Sequence, residues 1–484
     1  MTFNSWEFLI FYPIIALLYF LLPKQAKMPL LLIASYYFYA FYQAELLFLI
    51  VLTTLVSWVA SNFISRTDNT TVRKVWLVIT LVVCLGVLFF YKYFNFLSAS
   101  FLSVAGLLGV EAPALVLDLI LPVGISFYTF QTLSYVIDVY RGKIETEKNF
   151  FYYASFVSFF PQLVAGPIER PDNLLPQLKS PKSFNKEDAI KGAKHMLVGF
   201  FKKICVADII AVYVNSVYNN PTEANAPAII IATVLFAVQI YCDFSGYTDI
   251  AIGCARIMGI KLMQNFDHPY TSTSIKEFWQ RWHISLSSWF RDYLYIPLGG
   301  NRCSKPRRLF NVFVVFLVSG LWHGANWTYV IWGALHGIYQ IVGSLTRKGR
   351  DALLQKIGLA PDCPIVKAMR QAITFVLVAF AWLFFRANTP SDALILLGKL
   401  VTDWSSIGQT LEIMNLNPIA ILISIFSIAT LVIIDKMLTY DEGEDGSAML
   451  VTRGSFIYFI WIVLLCWALL LSKNIESSFI YFQF

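Results

Sequence analysis

A histidine set in apolar sequence is the first residue that could do chemistry. His323 stands in Gly320-Leu321-Trp322-His323-Gly324-Ala325-Asn326-Trp327, between two apolar stretches. Ionisable groups in such surroundings are costly and mark function by default. A neutral imidazole there can take a proton from a hydroxyl or thiol and return it near neutral pH. The plainer reading is a hydrogen-bonded histidine that packs two helices. His336 lies 13 positions later, and at about 100° per residue it would point roughly 140° away on one straight helix. A structural role is therefore expected for His336 unless the helix breaks. His283, in Arg281-Trp282-His283-Ile284-Ser285, can approach His323 only through tertiary folding, and His195 and His268 have no distinguishing context.

Asp243 and Asp249 occupy Tyr241-Cys242-Asp243-Phe244-Ser245-Gly246-Tyr247-Thr248-Asp249-Ile250, a stretch unusually polar for a membrane helix. Carboxylates there either relay protons and bind cations, or hold the fold by pairing with arginines of the next segment. That next segment, 265–308, interleaves Phe278, Trp279, Trp282, Trp289, Phe290 and Tyr293 with Lys276, Arg281, Arg291 and Asp292. Its composition predicts helices in or just below the headgroup region, with rings at the interface and cations beside phosphates. They are either ordinary surface helices or contacts to a substrate. No G-x-x-x-x-G-K-[ST] loop, G-x-S-x-G elbow or H-E-x-x-H helix occurs, so nucleotide hydrolysis, serine-hydrolase chemistry and zinc proteolysis lack support. The seven cysteines form no C-x-x-C pair and flank no metal-spaced histidines, so neither disulfides nor a metal site is expected.

The elements that must position these residues are membrane helices. Of 484 residues, 57% are hydrophobic, 16% aromatic and only 14% charged, more apolar surface than a soluble domain of this size could bury. Apolar runs such as 8–22, 28–42, 46–64 and 75–97 approach the roughly 20 residues that a membrane helix needs, and about ten to twelve spans are expected. The first run is flanked by Glu7, without a basic leader or a small-residue cleavage site, so it reads as a retained helix. A net charge of +7 reports topology, not nucleic-acid binding, because the basic residues sit in short loops. Lys24 and Lys27 follow the first run, Arg66, Arg73 and Lys74 the third, and Arg141, Lys143 and Lys148 the fifth. The positive-inside rule then puts both termini outside. Pro161 to Arg170 must break or cap a helix, and broken helices at membrane depth line cavities. Without an internal repeat or low-complexity linker, a single domain over 1–484 is expected.

Taken together, Asp243-Phe244-Ser245-Gly246-Tyr247, Phe278-Trp279-x-Arg281-Trp282-His283-Ile284-Ser285-Leu286-Ser287, Arg291-Asp292-Tyr293-Leu294-Tyr295-Ile296-Pro297-Leu298-Gly299-Gly300 and Leu321-Trp322-His323-Gly324 resemble the membrane-bound O-acyltransferase family, most closely its bacterial alginate O-acetyltransferase-like branch. The resemblance covers about 161–337. It implies an all-α, polytopic fold around a funnel or tunnel, with His323 catalytic and His283 in a more variable second position. It also implies a cytoplasmic thioester donor, acetyl-CoA or an acyl carrier, without a bound cofactor. Trp322, Asp243, Arg281 and Arg291 are the expected donor or tunnel contacts, with the arginines steering phosphates. The implied partner is an extracytoplasmic SGNH-type acyltransferase, and the final acceptor a polysaccharide such as alginate or a wall glycan.

The last residues, Phe479-Ile480-Tyr481-Phe482-Gln483-Phe484, resemble the tail of the small membrane peptide that works beside teichoic-acid D-alanyltransferase, a sister branch. That resemblance makes Tyr481, on an extracellular tail at 472–484, an acyl relay. A phenol of pKa about 10 forms a more activated ester than a sugar hydroxyl. An aromatic anchor at the interface is the plainer reading. Two other functions are compatible with these residues: D-alanyl transfer, and a transporter using Asp243, Asp249 and the histidines as relay groups.

Overall fold

The computed structural model describes residues 1–484 except 110–112, 114, 165, 361–362, 443–447, 453–461, 463–465 and 467–484, and describes side chains outside 42–43, 436–442 and 448–452. Helices dominate. A short antiparallel pair, Leu438–Glu442 with Ala448–Thr452, is the strand structure among the described residues.

Five described helices are long and apolar enough to cross a bilayer: Ala44–Ser65, Thr70–Leu107, Ala226–Ile257, Pro364–Arg386 and Pro418–Asp435. Trp6–Leu21 is a shorter apolar helix. Val82 and Phe101 are 65% and 72% exposed on the Thr70–Leu107 helix, an outward apolar face suited to lipid. Several further apolar runs form helices that are shorter or more charged. Ile125–Tyr140 has 16 residues. Lys305–His323 opens on Lys305, Arg307 and Arg308. The run at 192–218 is interrupted by the π-helical turn Phe201–Ala207, which contains the buried Lys202 and Lys203. The span expected at 456–471 lies outside the described residues apart from Ile462 and Cys466.

The chain divides into two compact units. The first comprises the described residues of 1–197 and 247–263. Its centre is the Ile125–Tyr140 helix, buried along nearly its whole length and packed against Leu47–Ser65 and Thr70–Leu88. Two polar contacts tie these helices to their neighbours: Ser57 Oγ lies 2.7 Å from Tyr153 OH, and Trp58 Nε1 donates to Glu147 O at 2.9 Å. Lys186–Phe200 meets the end of Ala226–Ile257 at Gly192 and Gly253, where a Cβ on either would collide with the other's carbonyl oxygen. Only glycine permits that approach. In the segment that breaks helicity, Glu169 is fully buried and accepts from Met263 N and from Asn173 Nδ2.

The second unit comprises 198–246, 264–443 and 448–484, of which part is described. It contains every motif of the resemblance except Tyr247. Its aromatic residues Phe278, Trp279, Trp282, Trp289 and Phe290 are all buried in protein. Phe278 stacks on Trp282 at 5.5 Å and Trp332 on Trp382 at 5.7 Å, while Lys276 and Arg291 remain exposed. The alternation of ring and charge therefore separates a protein-facing side from a polar one.

Candidate active site

The Lys305–His323 helix ends at its histidine because Gly324 is extended, at φ −165° and ψ 152°. Asn326 then caps the return helix, Trp327–Lys356, by accepting from Thr328 N at 3.0 Å. The two helices form a hairpin through facing glycines. A Cβ on Gly320 would strike Tyr329 O, and one on Gly333 would strike Phe316 O. His323 is thereby held at the hairpin apex, 3% exposed, with the rings of Trp322, Trp332 and Phe385 at 5.0, 5.0 and 5.4 Å.

His283 is positioned by a different device. Residues 265–267 run antiparallel to 281–284: Asp267 N donates to Arg281 O, Ile284 N donates to Asn265 O, and Phe266 bridges Trp282. This ladder turns the chain at His283, whose φ of 45° is left-handed, a conformation that a residue bearing a Cβ adopts only when its surroundings hold it. Asn265 supplies the hold. Its Oδ1 accepts from Ser285 N at 3.2 Å and Ser285 Oγ at 2.9 Å, and lies 3.2 Å from His283 Nδ1. With Oδ1 accepting from Nδ1–H, the lone pair of a neutral His283 is on Nε2. The ring is fully buried, at 4.7 Å from Phe244 and 5.9 Å from Trp322. The imidazoles of His283 and His323 lie 6.4 Å apart, with Trp322 against both.

The remaining expected contacts divide. Asp243 is buried, but its partner is Lys203, at 2.6 Å, which also holds Asp208 at 2.8 Å. This replaces the expected pairing with arginines of the following segment: the buried π-helical turn brings a cation to Asp243, and those arginines are satisfied nearer home. Arg281 pairs with Glu277 at 2.8 Å, one helical turn away, and Arg291 with its neighbour Asp292. Neither contacts the histidine pair through these bonds. Tyr481 lies outside the described residues.

His336 comes closer to the site than a straight helix would allow, because the helix does break, at 324–326. Its ring lies 4.9 Å from Trp332, and its Nδ1 accepts from Trp279 Nε1 at 3.1 Å. Two residues of this site escaped sequence reasoning, Asn265 and Trp332. Trp332 precedes His336 by one helical turn, a same-face spacing that could have pointed to it. Asn265 has no local signal.

The family model for MBOAT, the membrane-bound O-acyltransferase family, matches residues 143–385. A protein of Pseudomonas putida named "Probable alginate O-acetylase AlgI" is 36% identical over 502 residues, covering 100% of both chains. The chain belongs to the membrane-bound O-acyltransferase family. This membrane-bound O-acyltransferase is also 39% identical over 392 residues to the "Probable alginate O-acetylase AlgI" of Pseudomonas aeruginosa, covering 80% of this chain and 72% of that one. It is 34% identical over 426 residues to a "Peptidoglycan O-acetyltransferase" of Helicobacter pylori, covering 81% and 78%. It is thus a multi-pass membrane enzyme that transfers an acyl group to a hydroxyl, and the transport reading gives way.

Proposed function

We propose that this acyltransferase takes an acetyl group from a cytoplasmic thioester, acetyl-CoA or an acyl carrier, and passes it through the bilayer for O-acetylation of an extracytoplasmic polysaccharide. The observation that carries the reading is the buried imidazole pair, His283 and His323, at 6.4 Å in an aromatic enclosure. Relatives over most of the chain named for acetylation of alginate and of peptidoglycan support the acetyl group and the glycan acceptor. Alginate, a related exopolysaccharide and a wall glycan are the candidate acceptors.

His323 acts as the general base, taking the hydroxyl proton as the oxygen attacks the thioester and returning it to the leaving thiolate. His283, fixed by Asn265, orients the reacting groups beside it. Exclusion of water by the surrounding rings favours transfer over hydrolysis. Tyr481 serves as the first hydroxyl acceptor, and a partner SGNH-type acyltransferase takes the acetyl group onward to sugar.

Incubation of the purified protein with radiolabelled acetyl-CoA tests this reading. Label retained by the wild type and lost in His323→Ala and Tyr481→Phe is the expected result. Retention in Tyr481→Phe alone removes the relay, and a wild type that neither retains label nor releases CoA, even with an external partner, removes acetyl-CoA as the donor.

A further inference from the structure

Three buried N–H donors in the aromatic cluster around Trp332, a ring neighbour of His323, have no acceptor among the described residues. Trp332 and Trp282 are each fully buried, and among the described residues neither indole Nε1 has a partner. His336 is the third. Because its Nδ1 accepts from Trp279, a neutral ring carries its proton on Nε2, and that atom too is buried without a described partner. The three belong to one cluster: Trp332 lies 4.9 Å from His336 and 5.7 Å from Trp382, and Trp282 lies 5.2 Å from Trp382.

A buried donor without an acceptor destabilises the fold, so a group of them marks the place where a ligand brings acceptors. The chemistry of that ligand follows from the imbalance. A sugar brings hydroxyl donors along with its acceptors and would leave the former unmatched against indole faces. A thioester joined to a slender amide-containing arm brings carbonyl oxygens on an otherwise apolar chain. Trp332 is the member of the group in edge contact with His323, at 5.0 Å and 87°.

We propose that Trp332 Nε1–H donates to the carbonyl oxygen of the acyl thioester at His323 and holds that oxygen as it becomes an oxyanion. The inference rests on the acyl-transfer reading above. As the acceptor hydroxyl oxygen bonds the carbonyl carbon, its proton passes to His323 and the C=O π pair moves onto the oxygen facing Trp332. The pair then returns, the C–S bond breaks, and the thiolate leaves with the proton from His323, giving ester and thiol. A preorganised donor of this kind strengthens its bond only as charge develops, so it acts on kcat.

The test compares wild type, Trp332→Phe, and a variant with β-(3-benzothienyl)alanine at position 332, in which sulfur replaces the N–H and the ring shape is kept. Each is assayed for CoA release from acetyl-CoA, with His323→Ala alongside. A fall in kcat of about 10²- to 10³-fold in both position-332 variants, with KM for acetyl-CoA within about twofold, is expected. Wild-type kcat within about threefold in the benzothienyl variant overturns the proposal while leaving the acyl-transfer reading intact. If His323→Ala also turns over normally, the reading fails and this inference falls with it.

Discussion

The rings of His283 and His323 stand 6.4 Å apart although their residues are forty positions apart in the chain. Each is held by its own local device, one by the side chain of Asn265 and the other by a glycine-packed hairpin. This separation makes the two roles experimentally distinct.

Replacing His323 with Ala should remove acyl transfer and leave the fold in place, since the hairpin is closed by Gly320 and Gly333 and not by the imidazole. A loss of about 10²- to 10⁴-fold in turnover, the usual contribution of a positioned base, is expected. Size-exclusion elution and thermal unfolding in detergent should match wild type.

Asn265→Ala should release His283 from its left-handed conformation and leave Ser285 N and His283 Nδ1 buried without this acceptor. The cost of such unmatched groups is about 1–3 kcal/mol each, read as a lowered unfolding temperature. Turnover should fall at unchanged substrate affinity. Full activity would show that His283 needs no such orientation.

Lys203→Met should be severely destabilising, because it strands the carboxylates of Asp208 and Asp243, both buried. Removing one partner of a buried ion pair costs about 3–5 kcal/mol. The triple variant Lys203→Met, Asp208→Asn, Asp243→Asn should recover much of that stability. A triple variant no better than the single one would mean that Lys203 supports the π-helical turn by packing alone.

Burial pushes the Glu169 carboxyl from its ordinary 4.5 up to about 7, against the opposing hydrogen bonds from Met263 N and Asn173. The folded group therefore holds its proton when the unfolded one has lost it, so the native state loses stability as pH rises from about 4.5 to about 7. At about 1.4 kcal/mol per unit, the loss approaches about 3 kcal/mol. Thermal unfolding between pH 4.5 and 8 should show this slope in wild type, and Glu169→Gln should flatten it.

The burial of His323 was legible in the sequence because it stands between two apolar stretches, whereas its approach to His283 is a tertiary fact. Trp332 was not legible, since a tryptophan in an apolar helix looks like any core residue until its N–H is found without an acceptor. Asn265 escaped for a different reason: its importance lies in where the chain 18 residues later places a ring, which is a tertiary fact. The charge pattern identified Asp243 as costly but named the wrong partner. Lys203 reaches it only through a π-helical turn, which apolar periodicity does not signal. The burial of Phe278, Trp279 and Trp282 in protein was not legible, because aromatic residues serve equally at an interface and in a protein core.

The hairpin also bears on the order in which the protein takes shape. Its helices, Lys305–His323 and Trp327–Lys356, are neighbours in sequence, and the ladder that fixes His283 joins residues fewer than twenty apart. Short loops close cheaply and early. Each histidine is thus set within a prefabricated piece, and the imidazole pair comes into being when the two pieces dock. A chain cut within 301–304, between the two pieces, should still reassemble into a site with both imidazoles in place.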